Sequence, residues 1–517
     1  MENNTRKYEE FRKRYPEFIY HSYEMEEQGD FLQVTYHFEI PGLAEFSPAW
    51  TFPRPRAADG NVPEQGKLKG NTDRLLEKMV FSLGMTELVS YWKITCSPLV
   101  KVKAGSLTGE QIQWWKDLYF HGLGEFFYVN GIREAEISGF MEIQAEAAAG
   151  ESAGEENRAE ECLAGKVMMG DGLTGNTLTE ECLTGQTSVE KTAPAPSQTP
   201  VLVPIGGGKD SAVTLELLKE AGQRVMGYII NPRGATLQTT EKAGLSESQV
   251  ICVRRTLDKN MLELNKQGFL NGHTPFSAIV AFSSLIAARL YGLSWVALSN
   301  ESSANESTVA GSMVNHQYSK SFRFEKDFHD YAARYLPGSA YYFSLLRPLS
   351  EFQIARYFAG CRQYHPVFRS CNAGSKTDSW CGHCPKCLFV YLILSPFLDP
   401  EEVREIFGRD MLEDESLRDT LEKLTGIQEE KPFECVGSRS EINTAIVIAI
   451  KNRERKGEKL PLLLEYYKST GLYERYAAEG DHYSEYFDEE NLVPKEWLAL
   501  VKERCVRKEN EREDDAD

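Results

Sequence analysis

The sequence has no hydrophobic run long enough to cross a membrane. A transmembrane helix needs about 20 consecutive apolar residues, whereas the longest apolar run here is only Leu388 to Leu394. The first residues, Met1 to Lys7, are polar and lack the apolar segment of a secretory signal peptide. We therefore expect a cytoplasmic protein that has no membrane partner.

The sequence also lacks an excess of positive charge. It contains 58 Lys and Arg residues against 77 Asp and Glu residues, which gives a formal net charge of −19 over 517 residues. This balance repels phosphate backbones unless a local basic patch intervenes, so nucleic acid is a disfavoured partner.

Cysteine is sparse except in one short stretch. Four of the eleven cysteines follow the spacing Cys371-x9-Cys381-x2-Cys384-x2-Cys387. CxxC turns place sulfur atoms on one side of the chain, so the cluster predicts a closed tetrahedral zinc site in a reducing compartment. An iron–sulfur cluster and a set of free thiols are the alternatives. Lys386, which lies inside this loop, is expected to face solvent or to support the metal site.

Length and composition predict a chain of several segments. Residues 1–142 mix strand-like stretches with helix-like ones, such as Gly109 to Gly122, and predict a separate N-terminal α+β domain. Residues 143–199 are rich in Ala, Gly, Glu and Thr and predict a disordered, low-complexity linker. Residues 200–399 predict an ATP-binding catalytic domain with a zinc loop, and residues 400–517 predict a charged helical C-terminal region.

Strands alternate with helices in the third segment, which predicts an α/β fold with a doubly wound parallel sheet. The strand candidates after the first are Val225–Ile230, Gln249–Val253 and Trp295–Leu298, with a helix from Pro275 to Tyr291. Ligands bind beyond the carboxyl ends of such strands, where residues 206–211, 231–233 and 299–301 would emerge. We expect these three segments to converge on one crevice.

A glycine-rich turn follows the first strand, Val201 to Ile205, and precedes a helical pattern. Glycines permit a tight turn that points N–H groups at an anion, and the next helix directs the positive end of its dipole there. Asp210 offers a carboxylate for magnesium and Ser211 a hydroxyl for phosphate. A glycine-rich turn that binds no nucleotide is the alternative. The predicted nucleotide-binding residues are Gly206, Gly207, Gly208, Lys209, Asp210 and Ser211.

This turn resembles the SGGxDS signature of the PP-loop ATP pyrophosphatases, which cleave ATP to AMP and pyrophosphate. Gly206 stands where that family usually has serine, so a hydroxyl contact from that position is absent. The resemblance implies a PP-loop, HUP-like domain that uses ATP and Mg²⁺. A cysteine-rich loop similar to the one here follows the PP-loop in the 7-cyano-7-deazaguanine synthases.

Four longer stretches, residues 299–305, 314–321, 370–372 and 380–387, resemble a different family of that superfamily, the UDP-N-acetylmuramoyl-L-alanyl-L-glutamate epimerases. The resemblance covers roughly residues 1–140 and 200–440. It implies an ATP-dependent isomerase that inverts the terminal L-glutamate of a UDP-N-acetylmuramoyl-dipeptide to D-glutamate in peptidoglycan synthesis.

Inversion at a carbon next to a carboxylate requires prior activation, because removing that proton from a free carboxylate creates a dianion. An acyl-adenylate resembles an ester and acidifies the same C–H bond. Lys209 or Lys320 would offset charge during phosphoryl transfer, while Asp210 holds Mg²⁺. The candidate acid and base groups are His316, Lys320 and Glu301. Each also has a local interpretation, such as loop orientation, anion binding or helix capping.

Other functions stay open at this level. A PP-loop ligase would adenylylate a carboxylate for amide or nitrile formation and would depend on ammonia. A tRNA-thiolating enzyme would need a basic RNA-binding surface, which the net charge disfavours. A non-enzymatic zinc protein would bind the nucleotide without turnover.

Overall fold

A computed structural model describes residues 4–55, 73–132, 139–147, 199–305 and 317–506. The strands are β1 (Glu17–Gln28), β2 (Phe31–Ile40), β3 (Ala44–Phe46), β4 (Ala49–Pro53), β5 (Leu99–Leu107), β6 (Glu142–Ala147), β7 (Val201–Pro204), β8 (Val225–Ile230), β9 (Val250–Thr256), β10 (Trp295–Leu298) and β11 (Tyr341–Ser344).

The α-helices of the described residues follow in chain order. They are α1 (Thr5–Arg14), α2 (Arg74–Trp92), α3 (Gly109–Gly122), α4 (Gly124–Val129), α5 (Lys209–Glu220), α6 (Gly234–Lys242), α7 (Lys259–Lys266), α8 (Phe276–Tyr291), α9 (Phe322–Tyr335), α10 (Glu351–Gly360), α11 (Pro385–Leu394), α12 (Pro400–Phe407), α13 (Arg418–Thr425), α14 (Arg439–Arg455), α15 (Leu462–Ser469), α16 (Leu472–Glu479) and α17 (Lys495–Cys505). Short 3-10 helices include Ser302–Asn305 and Tyr318–Lys320.

The strands form one eleven-stranded sheet in the order β11-β10-β7-β8-β9-β4-β2-β1-β5-β6, with β3 paired to β2. The section β11-β10-β7-β8-β9 is parallel throughout. Within it, β8 and β9 extend to one side of β7, while β10 and β11 extend to the other. Such a reversal of strand order opens a crevice at the carboxyl ends of the strands on either side of it, here β7 and β10. The predicted α/β class with a parallel-rich sheet is confirmed.

The N-terminal strands continue this sheet, because β4 pairs antiparallel with β9. The pairing joins the first predicted segment to the third through backbone hydrogen bonds. Residues 143–147 of the predicted linker lie in β6, and the linker residues 148–198 lie outside the described residues. The predicted domain boundaries stay predictions.

Helices cover both faces of the parallel section. Successive side chains of a strand point to opposite faces, and in β7 Leu202 packs into one core cluster while Val201 and Val203 pack into another. Helix α8 belongs to the first cluster, and helices α5 and α10 belong to the second. The turn after β7 is therefore held between two packed layers.

The longest apolar run of the sequence lies in helix α11, where every residue except Pro385 is buried. Because a helix that is apolar all round belongs in a core, it packs between α14, α10 and α13. Among the residues that the structure describes, no helix combines the length and the apolar character that crossing a membrane would need.

Candidate functional site

The glycine-rich turn leaves β7 at the switch point of the sheet. Gly207 has a positive φ of 82°, and a Cβ atom there would lie 3.2 Å from the Thr236 backbone nitrogen, so this position favours glycine. Gly208 is the N-cap of α5, which begins at Lys209. The Arg369 backbone N–H donates to the Gly207 carbonyl over 2.7 Å and ties the turn to the cysteine loop.

A cavity of about 300 Å³ opens at this turn. It is lined by side chains and backbone of Gly206, Gly208, Asp210, Ser211, Arg233, Ser299, Asn300, Lys320, Arg369, Ser370, Cys371, Asn372, Lys386, Glu434 and Cys435, among others. The three segments that the sequence predicted to converge all contribute to it, through the glycine turn, Arg233 and Ser299. The position of the crevice is therefore the predicted one.

Lys209 lies within the protein, with only 2% of its surface exposed. Its ammonium donates to the Asp210 carboxylate and to Glu351, a buried carboxylate at the start of α10. Burial opposes the charge, but the two carboxylates outweigh burial and raise the pKa of Lys209. Lys209 is thus a fixed internal cation that braces the turn against α10.

Asp210 lines the cavity with its side chain one-third exposed. Burial raises its pKa, but the ammonium groups of Lys209, Lys386 and Lys320 more than offset burial, so the pKa of Asp210 lies below its ordinary value. Asp210 is therefore a carboxylate at neutral pH. Its charge and its oxygen atoms suit a hard cation such as Mg²⁺.

Four basic side chains line the cavity: Lys320, Lys386, Arg233 and Arg369. Of these, the sequence singled out Lys320 as a site residue. Lys386 was expected to face solvent or to support the metal site. The solvent-facing alternative is wrong, because Lys386 is buried and its ammonium donates to the Cys435 carbonyl at the cavity wall. Its position two residues after Cys384, a predicted metal ligand, was the signal that linked it to this region.

The three candidate acid and base residues differ in their placement. Lys320 lines the cavity. Glu301 is 6% exposed and does not line it, and its carboxylate accepts from the Ala304 N–H over 3.0 Å at the start of a 3-10 helix. His316 lies outside the described residues.

Arg347 holds the backbone of Glu301 and Lys320 in place. It is fully buried and paired with Glu325, which is 1% exposed, over 2.8 Å. The same guanidinium donates to the backbone carbonyls of Glu301 and Lys320. The guanidinium of arginine is planar and can donate several hydrogen bonds at once. Arg347 therefore sets the relative position of the two segments that carry Glu301 and Lys320.

The four clustered cysteines form a compact centre beside the cavity. Their sulfur atoms all lie within 4.8 Å of one another, with Sγ separations of 3.8 Å for Cys371–Cys384, 3.7 Å for Cys381–Cys387 and 3.5 Å for Cys384–Cys387. Zinc–sulfur bonds of about 2.3 Å in a tetrahedron place the sulfur atoms about 3.8 Å apart. The donor set therefore fits a metal ion such as zinc.

We expect Cys384→Ser to lower both the metal content and the free energy of unfolding, the latter by about 2 kcal/mol or more, because it would remove one of four thiolates from the predicted structural zinc site. Elemental analysis per chain and thermal melting measure the two effects. Cys252→Ser, which changes a partly buried cysteine outside the centre, should alter neither. A metal-free Cys384→Ser protein with full stability and activity would show that the centre is not structural.

The fold and the cavity define an α/β protein with a glycine-turn site at the switch point of a parallel sheet, adjoining a four-cysteine centre. Two family models match the chain: the MurL N-terminal domain over residues 9–345 and the MurL C-terminal domain over residues 367–470. The chain belongs to the family of UDP-N-acetyl-alpha-D-muramoyl-L-alanyl-L-glutamate epimerases.

Curated relatives carry that same name. The protein of Xanthomonas oryzae pv. oryzae (strain MAFF 311018) is 34% identical over 376 residues, which cover 71% of this chain and 73% of the relative. The proteins of Micromonospora sp. and Salinispora tropica are 40% and 38% identical over 248 residues, 47% of this chain and 55% and 54% of their own lengths. No solved structure matches the chain.

Proposed function

We propose that this protein is an ATP-dependent epimerase that converts the terminal L-glutamate of UDP-N-acetyl-alpha-D-muramoyl-L-alanyl-L-glutamate to D-glutamate, a cytoplasmic step of peptidoglycan precursor synthesis. The observation that carries the proposal is the similarity to relatives named for this epimerase. The cavity at the glycine turn supports it, because the four basic side chains that line the cavity suit the negative charge of a nucleoside triphosphate.

ATP is proposed to bind at the glycine turn, as in the PP-loop superfamily that the sequence resembles. Gly206 and Gly208 would present backbone N–H groups to the phosphates, and Ser211 would add a hydroxyl. A Cβ atom on Gly206 would meet nothing within 4 Å. The replacement of the superfamily's serine by glycine therefore leaves open space beside the phosphates.

Asp210 would hold Mg²⁺, and its lowered pKa keeps the carboxylate ionised. Such an ion, when bound, offsets the negative charge of the phosphates. The protein's own cations add to this effect, because Lys320, Lys386 and Arg233 line the same cavity. We assign charge stabilisation during phosphoryl transfer to these cavity-lining groups, while the internal Lys209 holds Asp210 in place.

The substrate glutamate would attack the α-phosphate of ATP through its carboxylate and release pyrophosphate. The resulting acyl-adenylate is activated for loss of the α-proton, and a proton is then delivered to the opposite face. Hydrolysis of the adenylate would release AMP and the D-glutamyl carboxylate. Lys320 is the proposed proton-transfer group on the cavity wall, with His316 and Glu301 as the further candidates. Arg347 contributes by fixing the backbone carbonyls of Lys320 and Glu301.

The remaining parts of the chain have supporting roles in this proposal. Cys371, Cys381, Cys384 and Cys387 would hold a structural zinc ion, whose loop carries Lys386 into the cavity. Residues 1–142 are proposed to contact the UDP-sugar end of the substrate, and residues 400–517 to support the catalytic segment.

The test is ATP cleavage by the full-length protein with and without the proposed substrate and ammonia. We expect AMP and pyrophosphate to appear only with the substrate and at a rate independent of ammonia. ADP as the nucleotide product would contradict the proposal. A requirement for ammonia would indicate a ligase in place of an epimerase.

A further inference from the structure

Cys435 lies in the wall of the cavity, far in sequence from the four-cysteine centre. It is partly buried and lines the cavity with Asp210, Ser211 and Lys320. It belongs to the segment between α13 and α14, so the C-terminal region supplies a thiol to the glycine turn. Neither the relatives nor the motifs of the sequence assign it a role.

The segment around Cys435 is anchored on several sides. The Lys386 ammonium donates to the Cys435 carbonyl, and Asn372 donates to the Glu434 carboxylate. The Gln317 side chain donates to the Val436 carbonyl over 3.4 Å. These contacts tie residues 434–436 to the cysteine loop and to the segment that carries Lys320, so the thiol has a fixed place.

The thiol of Cys435 is paired with an ammonium. Lys320 Nζ lies 3.1 Å from Cys435 Sγ, and Lys386 is held on the backbone of the same residue. Nearby cations favour the thiolate, which is the nucleophilic form of cysteine. A partly exposed thiol beside lysine in an electropositive pocket has the surroundings of a reactive cysteine.

We propose that Cys435 is a nucleophilic catalytic residue that accepts the activated glutamyl group from the adenylate as a thioester before inversion. This inference rests on the proposed function and adds a covalent intermediate to it. The thiolate and the adenylate would meet in the same cavity, since both Cys435 and the glycine turn line it.

In the acyl transfer, the Cys435 sulfur attacks the carbonyl carbon of the adenylate and forms the C–S bond. The C–O bond to the α-phosphate breaks, and AMP leaves with the electron pair. The thioester carbonyl then accepts electron density when the α-proton is removed, and a proton returns on the opposite face. Water finally attacks the carbonyl carbon of the thioester and the C–S bond breaks. The D-glutamyl carboxylate is released, the Cys435 sulfur takes one proton of the water, and the other proton passes to solvent.

The pairing with Lys320 gives the acylation a second consequence. As a thiolate, Cys435 makes the largest contribution that raises the pKa of Lys320. Acylation removes this charge, so the Lys320 ammonium loses its proton to solvent more readily. This loss increases the fraction of Lys320 present as the neutral amine, which is the form that can accept the α-proton of the neighbouring thioester.

The test compares the unaltered protein with Cys435→Ala, Cys435→Ser and the control Cys252→Ala. Each is mixed with ATP and UDP-N-acetyl-alpha-D-muramoyl-L-alanyl-L-glutamate, quenched with acid, and analysed by intact-protein and peptide mass spectrometry. We expect a hydroxylamine-sensitive adduct on Cys435 of the unaltered protein and of Cys252→Ala. In the two Cys435 variants we expect inversion to fall by at least about 100-fold, while a first turnover of pyrophosphate persists.

The outcomes separate this inference from the proposed function. Inversion by Cys435→Ala at the rate of the unaltered protein would overturn the thioester step and leave the epimerase proposal intact. If the unaltered protein released no pyrophosphate with this substrate, the proposed function and this inference would both fail. Pyrophosphate release by the variants also shows that they are folded.

Discussion

Asp210→Asn should lower the rate of pyrophosphate release by about 10³-fold, because asparagine keeps the size of the side chain but removes the charge proposed to hold Mg²⁺. Asp210 is the acidic residue of the glycine turn, and three lysines keep its carboxylate ionised. The measurement is pyrophosphate release at saturating ATP and substrate.

The stability of the Asp210→Asn protein is measured in parallel by thermal melting. Lys209 keeps its buried partner Glu351 in this variant, so we expect a folded protein. Asp419→Asn, which changes an exposed aspartate on α13, serves as the matched control and should retain full activity. If Asp210→Asn released pyrophosphate at a rate within a few fold of the control, Asp210 would not have the proposed role in catalysis.

Lys209→Met should destabilise the protein by about 3–5 kcal/mol, which is the range for removing one partner of a buried ion pair. The side chains of Lys209 and Glu351 are 2% and 4% exposed. Methionine fills the volume of lysine but leaves the Glu351 carboxylate buried without its cation. The shift of the denaturant unfolding midpoint measures the loss.

Two further proteins test the reason for this loss. Lys219→Met changes an exposed lysine on the same helix, paired with Glu216 over 3.0 Å, and should change the free energy of unfolding by less than about 0.5 kcal/mol. The double variant Lys209→Met/Glu351→Gln should recover part of the loss, since it removes the buried charge as well. Equal stability of Lys209→Met and the unaltered protein would contradict the role of Lys209 as an internal cation that holds the glycine turn against α10.

Local sequence patterns predicted much of the parallel section. Strands β8 and β10 and helix α3 have the predicted bounds, and α8 begins one residue after the predicted start. These segments are bounded by turn or capping residues, such as the capping box of Thr108 and Gln111 at α3. Short-range signals of this kind can be read from a sequence.

Long-range contacts could not be predicted in the same way. The pairing of β4 with β9 joins residues about 200 positions apart. The cavity likewise depends on the approach of Cys435 to Lys320, and no periodicity or motif relates these two residues. The burial of Lys209 also depends on a long-range contact. The motif placed Lys209 in the turn, but only the packing of α10 against α5 shows that its charge is internal.

The most direct test of the account is chiral analysis of glutamate from UDP-N-acetyl-alpha-D-muramoyl-L-alanyl-L-glutamate after incubation with the full-length protein and ATP. Acid hydrolysis of the product should yield D-glutamate, formed only when ATP is present and accompanied by AMP. Glutamate that remains entirely in the L form while ATP is cleaved to AMP would contradict the account and indicate another carboxylate-activating enzyme.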